Sequence, residues 1–494
     1  MSESTEQSST EQSRTEQPAT GSDGATAPAG PAVAEKTVFV LYGATGDLAH
    51  RLVLPALFRL AKDGLLPTDW RLVGNGRGDV SHEDFRKRVH DSLAEFGAAP
   101  EGPVWDDFAS KLLFAGGGFS KDDPGSLLTV LEDAHAQLGE HGEMIHYLAI
   151  PPSAFERITQ GIGEHGLSSH ARIVYEKPFG TSMQEFRELN ELAHTVFDES
   201  DVYRIDHFLG KEGAQAIQAV RAGNTLVAAA WCRDFIDSVQ IDVPETLDIG
   251  TRAQFYDGTG AFLDMIVTHL IQLAAQVAME PAGSDPEEIA RAREQVIAAF
   301  RPMQPAEVVL GQYDDYGQAP GVAAGSQTDT FVAARLWVDN ERWQGVPFLL
   351  RTGKALARSA QRVSIVFRRP ADAPEGTPAR GSVLTFDLAG DGGVSLSLVG
   401  KQTGPGEEVT VGEADLPLPQ TFGGASLPAY SRLVHDVLRG DRALFTRPEG
   451  LSHVWTTVGR VLADRPAVKS YARGSWGPAE AAALAGPEGW ILGS

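Results

Sequence analysis

Cysteine is almost absent from this chain: Cys232 is the only one among 494 residues. A single thiol forms no intrachain disulfide, and without Cys clusters there is no thiolate zinc site, a usage that fits a reducing cytoplasm. Positive charge is scarce too, with 42 Lys and Arg against 66 Asp and Glu and a formal charge of −24. This balance disfavours nucleic acid and anionic membranes as partners, and an anionic substrate then needs a local basic pocket. Long uninterrupted apolar runs are missing. The most apolar stretch, 262–279, contains Asp264, His269, Gln272 and Gln276, which predicts a buried helix with polar work to do and no membrane insertion. The N-terminal MSESTEQSSTEQ has neither a basic region nor an apolar core, so it does not read as a secretory signal.

Hydrophobic residues at 42% and charged residues at 22% fit a globular enzyme and exclude a collagen, a coiled coil or a wholly disordered chain. Residues 1–35, built from Ser, Thr, Glu, Gln, Ala, Pro and Gly, carry too little apolar surface to offset ordering entropy and predict a disordered tail. From Thr37 strand-like runs (TVFVLYG, RLVGNGR, LLFAG, MIHYLAI, RIVYEKPFG) alternate with helical patterns. One of these helices has Ser81 as N-cap and Asp84 three residues on. The alternation predicts a Rossmann-like, doubly wound α/β domain over 36–205. Beyond it DSVQIDV, TFVAARLWVDN, VPFLLR, RVSIVFR, SVLTFDL and VSLSLVG follow one another with few helices between. They predict a larger, mainly antiparallel β-sheet with helices over 206–494. The charged amphipathic run 284–300 reads as a solvated helix without chemistry.

Gly43, Gly46 and Ala49 form G-x-x-G-x-x-A between the first strand and its helix. Small residues there permit a tight turn and let the backbone approach a pyrophosphate, whose charge rests on the free N–H groups of the helix start. A glycine pair at this point also serves simply as a turn. The second strand ends in Gly74, Asn75, Gly76 and Arg77. An acidic residue usually holds free ribose hydroxyls there, whereas an arginine suits a 2′-phosphate, so NADP is favoured over NAD. The alternative is a surface Arg in a Gly-rich loop.

Two further clusters carry chemistry. In YRIDHFLGKE, Asp206 and His207 are adjacent and Lys211 lies four beyond His207; on a helix His207 and Lys211 would share a face and grip one anion. His269 sits in an otherwise apolar helix, where a histidine is more often a core residue unless a carboxylate orients it. Asp264 lies five residues earlier, about 140° around an α-helix, so spacing leaves the two unpaired. Lys177, ahead of Pro178 in EKPFG, ends a strand and either aims its ammonium into the cleft or is a turn lysine.

Taken in order, GATGDLA, YLAIPP, EKPFG, RIDHFLGKE, the segment from Glu245 to Glu280 and RTGKAL resemble the glucose-6-phosphate dehydrogenase family over everything after the tail. The C-terminal YARGSWGP is similar to its actinobacterial branch. The resemblance implies oxidation of the C1 hydroxyl of β-D-glucose 6-phosphate to 6-phosphogluconolactone with NADP, the first step of the oxidative pentose phosphate pathway. It implies His269 as general base and Asp206 as the carboxylate that orients it. His207 and Lys211 would be phosphate ligands, and Lys177, Glu245, Asp264 and Lys354 would hold the sugar. Gly43, Thr45, Gly46, Asp47, Leu48, Arg77 and Lys177 would bind the cofactor. No metal is implied, and the family suggests a cytoplasmic homodimer or homotetramer built on the sheet domain.

The chain departs from the family pattern at several points. The basic run after GDLA reads His50, Arg51, Leu52 without its lysine, and a tyrosine of the RIDH run is Phe208. Ser359 stands where a basic residue is usual, and E-G-R-G-G-Y reads Gly250, Thr251, Arg252, Ala253, Gln254, Phe255. These departures keep open a same-fold dehydrogenase of another sugar phosphate. A non-catalytic NADP-binding regulatory homologue is the remaining alternative.

Overall fold

The computed structural model describes residues 35–139, 142–250 and 253–493. The predicted tail lies outside them except for Glu35, as do Thr251 and Arg252. Six apolar runs form parallel strands: β1 (Lys36–Tyr42), β2 (Asp69–Asn75), β3 (Leu112–Ala115), β4 (Glu143–Leu148), β5 (Ala171–Tyr175) and β6 (Val202–Arg204). They pair in the order β3-β2-β1-β4-β5-β6, the dinucleotide-binding arrangement, with the chain reversing direction across the sheet between β1 and β4. Alternate side chains of β1 enter two different cores, Phe39 and Leu41 on one face and Val38, Val40 and Tyr42 on the other. Both faces are therefore helix-covered, which is why these strands read as continuous apolar runs. Ser81 caps the helix His82–Glu95 as expected, accepting from Asp84 N at 3.0 Å.

The second sheet contains β7 (Ile236–Pro244), β8 (Val308–Tyr313), β9 (Phe331–Leu336), β10 (Phe348–Gly353), β11 (Arg362–Phe367), β12 (Val383–Asp387), β13 (Gly393–Lys401), β14 (Val409–Pro417) and β15 (Val468–Tyr471). Their order is β14-β13-β12-β11-β7-β10-β9-β8-β15. It is mainly antiparallel, with parallel pairing at β7–β10 and β8–β15. The β7–β10 register sets Pro244 opposite Gly353, so the next residues, Glu245 and Lys354, leave the sheet side by side. Four strands escaped the sequence reading. β6 and β15 are very short, β8 carries a glycine, and β14 is an exposed, acidic edge strand whose apolar period is weak.

Against this sheet lies the helical run Tyr256–Ala278, long and apolar enough to cross a membrane but with 83% of its most apolar window buried within the protein. It is the core helix that its embedded Asp, His and Gln residues predict. One expectation is corrected here. The helix Pro286–Ala298 is not merely a solvated face: it buries Arg293, whose Nη2 donates to Ala443 O at 2.8 Å and whose charge acts on Asp206. The chain also returns to the first sheet, where Leu433, Val434 and Val437 of the helix Ala429–Arg439 fill the core beside Phe39 and Leu57.

Candidate active site

The turn after β1 brings the first group of predicted residues together. Gly43 has φ 77°, and a Cβ there would stand 2.4 Å from Ala149 O, so only glycine fits. Its N–H and that of Ala44 both donate to Asn75 O, at 2.9 and 3.1 Å, tying the turn to the end of β2. A Cβ on Gly76 would lie 3.3 Å from Thr45 Oγ1, and exposed Arg77 follows at once. Asn75 is occupied structurally, its Nδ2 donating to Ala115 O and Gly118 O at 3.2 and 3.1 Å. The strand thus ends in Asn75 and not in an acidic residue, with exposed Arg77 two residues on and Asp79 beyond it. Asp47 and Leu48 lead into the helix, which begins with a π-helical turn, Ala49–Val53, before continuing as Leu54–Lys62. Glycine cradle, small residues and arginine together fit a dinucleotide carrying a 2′-phosphate.

The second group centres on His269, which is 0% exposed. Its Nδ1 lies 2.6 Å from Asp206 Oδ1. Asp206 comes from the loop after β6, where its carboxylate also accepts from Phe208 N at 2.9 Å, a turn formed by its own side chain. Tyr430, from the helix on the first sheet, stacks on the His207 ring at 5.9 Å, and the His207 ring meets that of His269 edge-on at 4.6 Å. Residues 207–210 form a turn, not the helix considered from spacing, and Lys211 is the residue that precedes the helix Glu212–Gly223. Phe208 lies buried against His269, ring centroids 4.6 Å apart. Lys211 Nζ stands 5.3 Å above the Phe208 ring, a cation–π contact that the lost tyrosine hydroxyl does not affect.

Asp264 and His269 are unpaired, as spacing predicts, each with its own partner in Lys177 and Asp206, but the α-helical angle assumed between them is corrected. Phe262–Leu270 is π-helical, with Ile271 N bonded to Ile266 O five residues back. In that register residues five apart come round to the same side, and the two groups interact electrostatically. Lys177 Nζ, two residues beyond β5, donates to Asp264 Oδ1 at 3.1 Å. Lys354 Nζ donates to Glu245 Oε2 at 2.6 Å and lies 5.8 Å above the Tyr256 ring. Ser359 supports this loop, accepting from Thr246 N at 2.9 Å. Leu52, in place of the family lysine, is 40% exposed.

Electrostatics set the protonation states. Burial pushes the His269 imidazole well below its ordinary range, with Lys177 and Lys211 adding to the effect. Burial likewise raises Asp206 to about 6, opposed by His207, the Phe208 N–H, Lys177 and Arg293. Burial works against ionisation of Asp264, but Lys177 and His269 outweigh it and hold that carboxyl low. Near neutral pH the pair is therefore a carboxylate and a neutral imidazole. His269 Nε2 and Asp206 Oδ2 are buried without a protein partner, and a proton on Nδ1 shared with Asp206 leaves the Nε2 lone pair open. As pH falls through about 6 the pair takes up a proton and loses its base, so kcat/KM for the sugar falls about tenfold per pH unit below that point. A pH–rate profile checks this, and a limb unchanged in Asp206→Asn would assign it to the substrate's phosphate instead.

Sequence reasoning missed three neighbours. Glu176, inside EKPFG, is 4% exposed, accepts from Tyr147 OH at 2.6 Å, and is raised by burial to about 6. Its other oxygen lies 3.5 Å from the Tyr430 hydroxyl. Arg293 and Tyr430 carry no local signal, because they reach the site only through folding from distant helices.

Comparison with known proteins gives the family. The family described as glucose-6-phosphate dehydrogenase, NAD binding domain, matches residues 40–216, and its C-terminal domain matches 218–491. Glucose-6-phosphate 1-dehydrogenase 2 of Mycobacterium tuberculosis is 37% identical over 475 residues, covering 91% of this chain and 92% of that protein. The glucose-6-phosphate 1-dehydrogenase of Chlamydia muridarum is 32% identical, covering 94% and 97%. Among solved structures, the enzyme from Mycobacterium avium superposes with a TM-score of 0.83 at 30% identity, covering 94% of this chain and 99% of that one. A glucose-6-phosphate dehydrogenase in complex with glucose 6-phosphate reaches 0.85 at the same identity and coverage. The chain belongs to the glucose-6-phosphate dehydrogenase family.

Proposed function

We propose that the Asp206–His269 pair, 2.6 Å apart and buried with Nε2 open, is the base of an NADP-dependent glucose-6-phosphate 1-dehydrogenase. This pair is the observation that carries the reading. His269 Nε2 takes the proton of the C1 hydroxyl while Asp206 keeps the imidazole in the right tautomer and stabilises the imidazolium that forms. NADP, when bound, supplies the acceptor for the C1 hydride, leaving the lactone and NADPH. Lys177, Asp264, Glu245 and Lys354 hold the sugar hydroxyls. His207 and Lys211 take the phosphate, and binding energy from that remote group aligns C1. Gly43, Thr45, Gly46, Asp47 and Leu48 cradle the pyrophosphate, and Arg77 pairs with the 2′-phosphate.

The residue division implied is a cofactor domain over 36–205 and a substrate and oligomerisation domain over 206–494, with 429–439 returning to the first. A homodimer or homotetramer formed through the second sheet is supported by exposed Leu398, Val411 and Leu416 on the β13–β14 hairpin and Phe422 beside it. The single cysteine supports a cytoplasmic location.

The test is NADPH absorbance with a panel of sugar phosphates and both nicotinamide cofactors. Reduction of NADP is expected with glucose 6-phosphate above all others. Because Leu52, Phe208 and Ser359 replace residues that can donate, its Michaelis constant is expected to be about tenfold to 100-fold above that of a relative retaining them, the effect of one or two lost donors at about 1.4 kcal/mol each. Absence of reduction with every sugar phosphate would overturn the reading.

A further inference from the structure

The segment carrying Asp264 and His269 begins at a break. Gly260 adopts φ 69° and ψ 169°, and a Cβ there would stand 2.5 Å from Asp329 Oδ1. A π-helix leaves five N–H groups at its start without an intrahelical acceptor, one more than an α-helix. Asp329 takes the first two N–H groups after the break: Ala261 N donates to Asp329 O at 2.8 Å and Phe262 N to Asp329 Oδ2 at 2.7 Å. Asp329 itself is 0% exposed, and its Oδ1 accepts from Arg465 Nη2.

The next residue reaches the other half of the site. Thr330 O accepts from Lys354 N at 2.8 Å. The Thr330 hydroxyl lies 2.9 Å from that of Tyr471, which donates to Lys354 O at 2.7 Å. One dipeptide at the entrance to β9 thus holds both the helical segment with Asp264 and His269 and the backbone of Lys354.

We infer that Asp329, backed by Arg465, is a positioning residue for sugar oxidation, an external cap that holds the π register of Phe262–Leu270 and ties it to Lys354. This rests on the roles proposed above for Asp264, His269 and Lys354. The physical reason is register. An α-helix is the ordinary state of such a sequence, and π turns persist only where the surroundings hold them. In α geometry Asp264 and His269 stand about 140° apart, so losing the cap rotates the base away from the carboxylate paired with Lys177. A neutral acceptor would satisfy Phe262 N, but a buried carboxylate also needs a cation, which Arg465 provides.

The experiment compares D329A, D329N and R465Q with the wild type in one assay, with both substrates varied. D329A is expected to lower kcat/KM for glucose 6-phosphate by about tenfold or more, with kcat reduced and KM for NADP within about twofold. D329N keeps an acceptor for Phe262 N and restores most of the loss. R465Q leaves the buried Asp329 carboxylate without its cation and is expected to show the same split at about threefold, while D329N, with an acceptor and no charge to pair, keeps the comparison decisive should D329A fail to fold. Wild-type constants in D329A or R465Q, losses shared equally between sugar and NADP, or no rescue in D329N would overturn the inference. A wild type that turns over no sugar phosphate would instead overturn the reading on which it rests.

Discussion

Replacing His269 with Asn is expected to lower kcat by about 100-fold or more, roughly 2.7 kcal/mol of barrier, because the C1 hydroxyl then loses its proton acceptor. The substitution keeps a planar polar side chain but loses the ring contacts to Phe208 and His207, so its thermal unfolding is measured beside its kinetics. The Michaelis constant for NADP should stay within about twofold, since the proposed cofactor cradle lies at the ends of β1 and β2, away from His269. Asp206→Asn should fall in the same direction, as an amide no longer stabilises the imidazolium. Steady-state kinetics with both substrates varied separates these effects, and near-normal turnover in His269→Asn would end its assignment as base.

Arg77→Ala is the second substitution with a large expected effect. It should raise the Michaelis constant for NADP by about tenfold to 100-fold, the size of one charge-assisted contact of about 1.5 to 3 kcal/mol. NAD lacks the 2′-phosphate, so its constant should move by less than about twofold. Arg77 is exposed and follows Gly76, which makes a folding defect an unsuitable explanation for a loss confined to NADP. Equal losses for both cofactors would remove Arg77 from the 2′-phosphate. A dissociation constant measured without sugar would confirm that the change lies in binding.

Much of the cofactor end was legible because its determinants are local. A strand period of two, a glycine pair at a strand-to-helix turn and an arginine after small residues lie within the 42 residues from Lys36 to Arg77, and each constrains the backbone where it stands. The sugar end was legible only in part. Its residues were named through resemblance, while their mutual arrangement depended on contacts between segments 63 residues apart, as for Asp206 and His269.

By itself, then, the sequence determined two sheet types in order, the glycine turn, the Ser81 cap and the residue types available for acid–base work, all set by local periodicity and local sterics. Only the tertiary structure decided that Phe262–Leu270 winds as a π-helix, that Asp206 reaches His269 from a turn, and that Arg293 and Tyr430 arrive from helices far along the chain. The reason is that helical register and the protonation of buried groups depend on capping and desolvation by distant residues, neither of which a window of neighbouring amino acids contains.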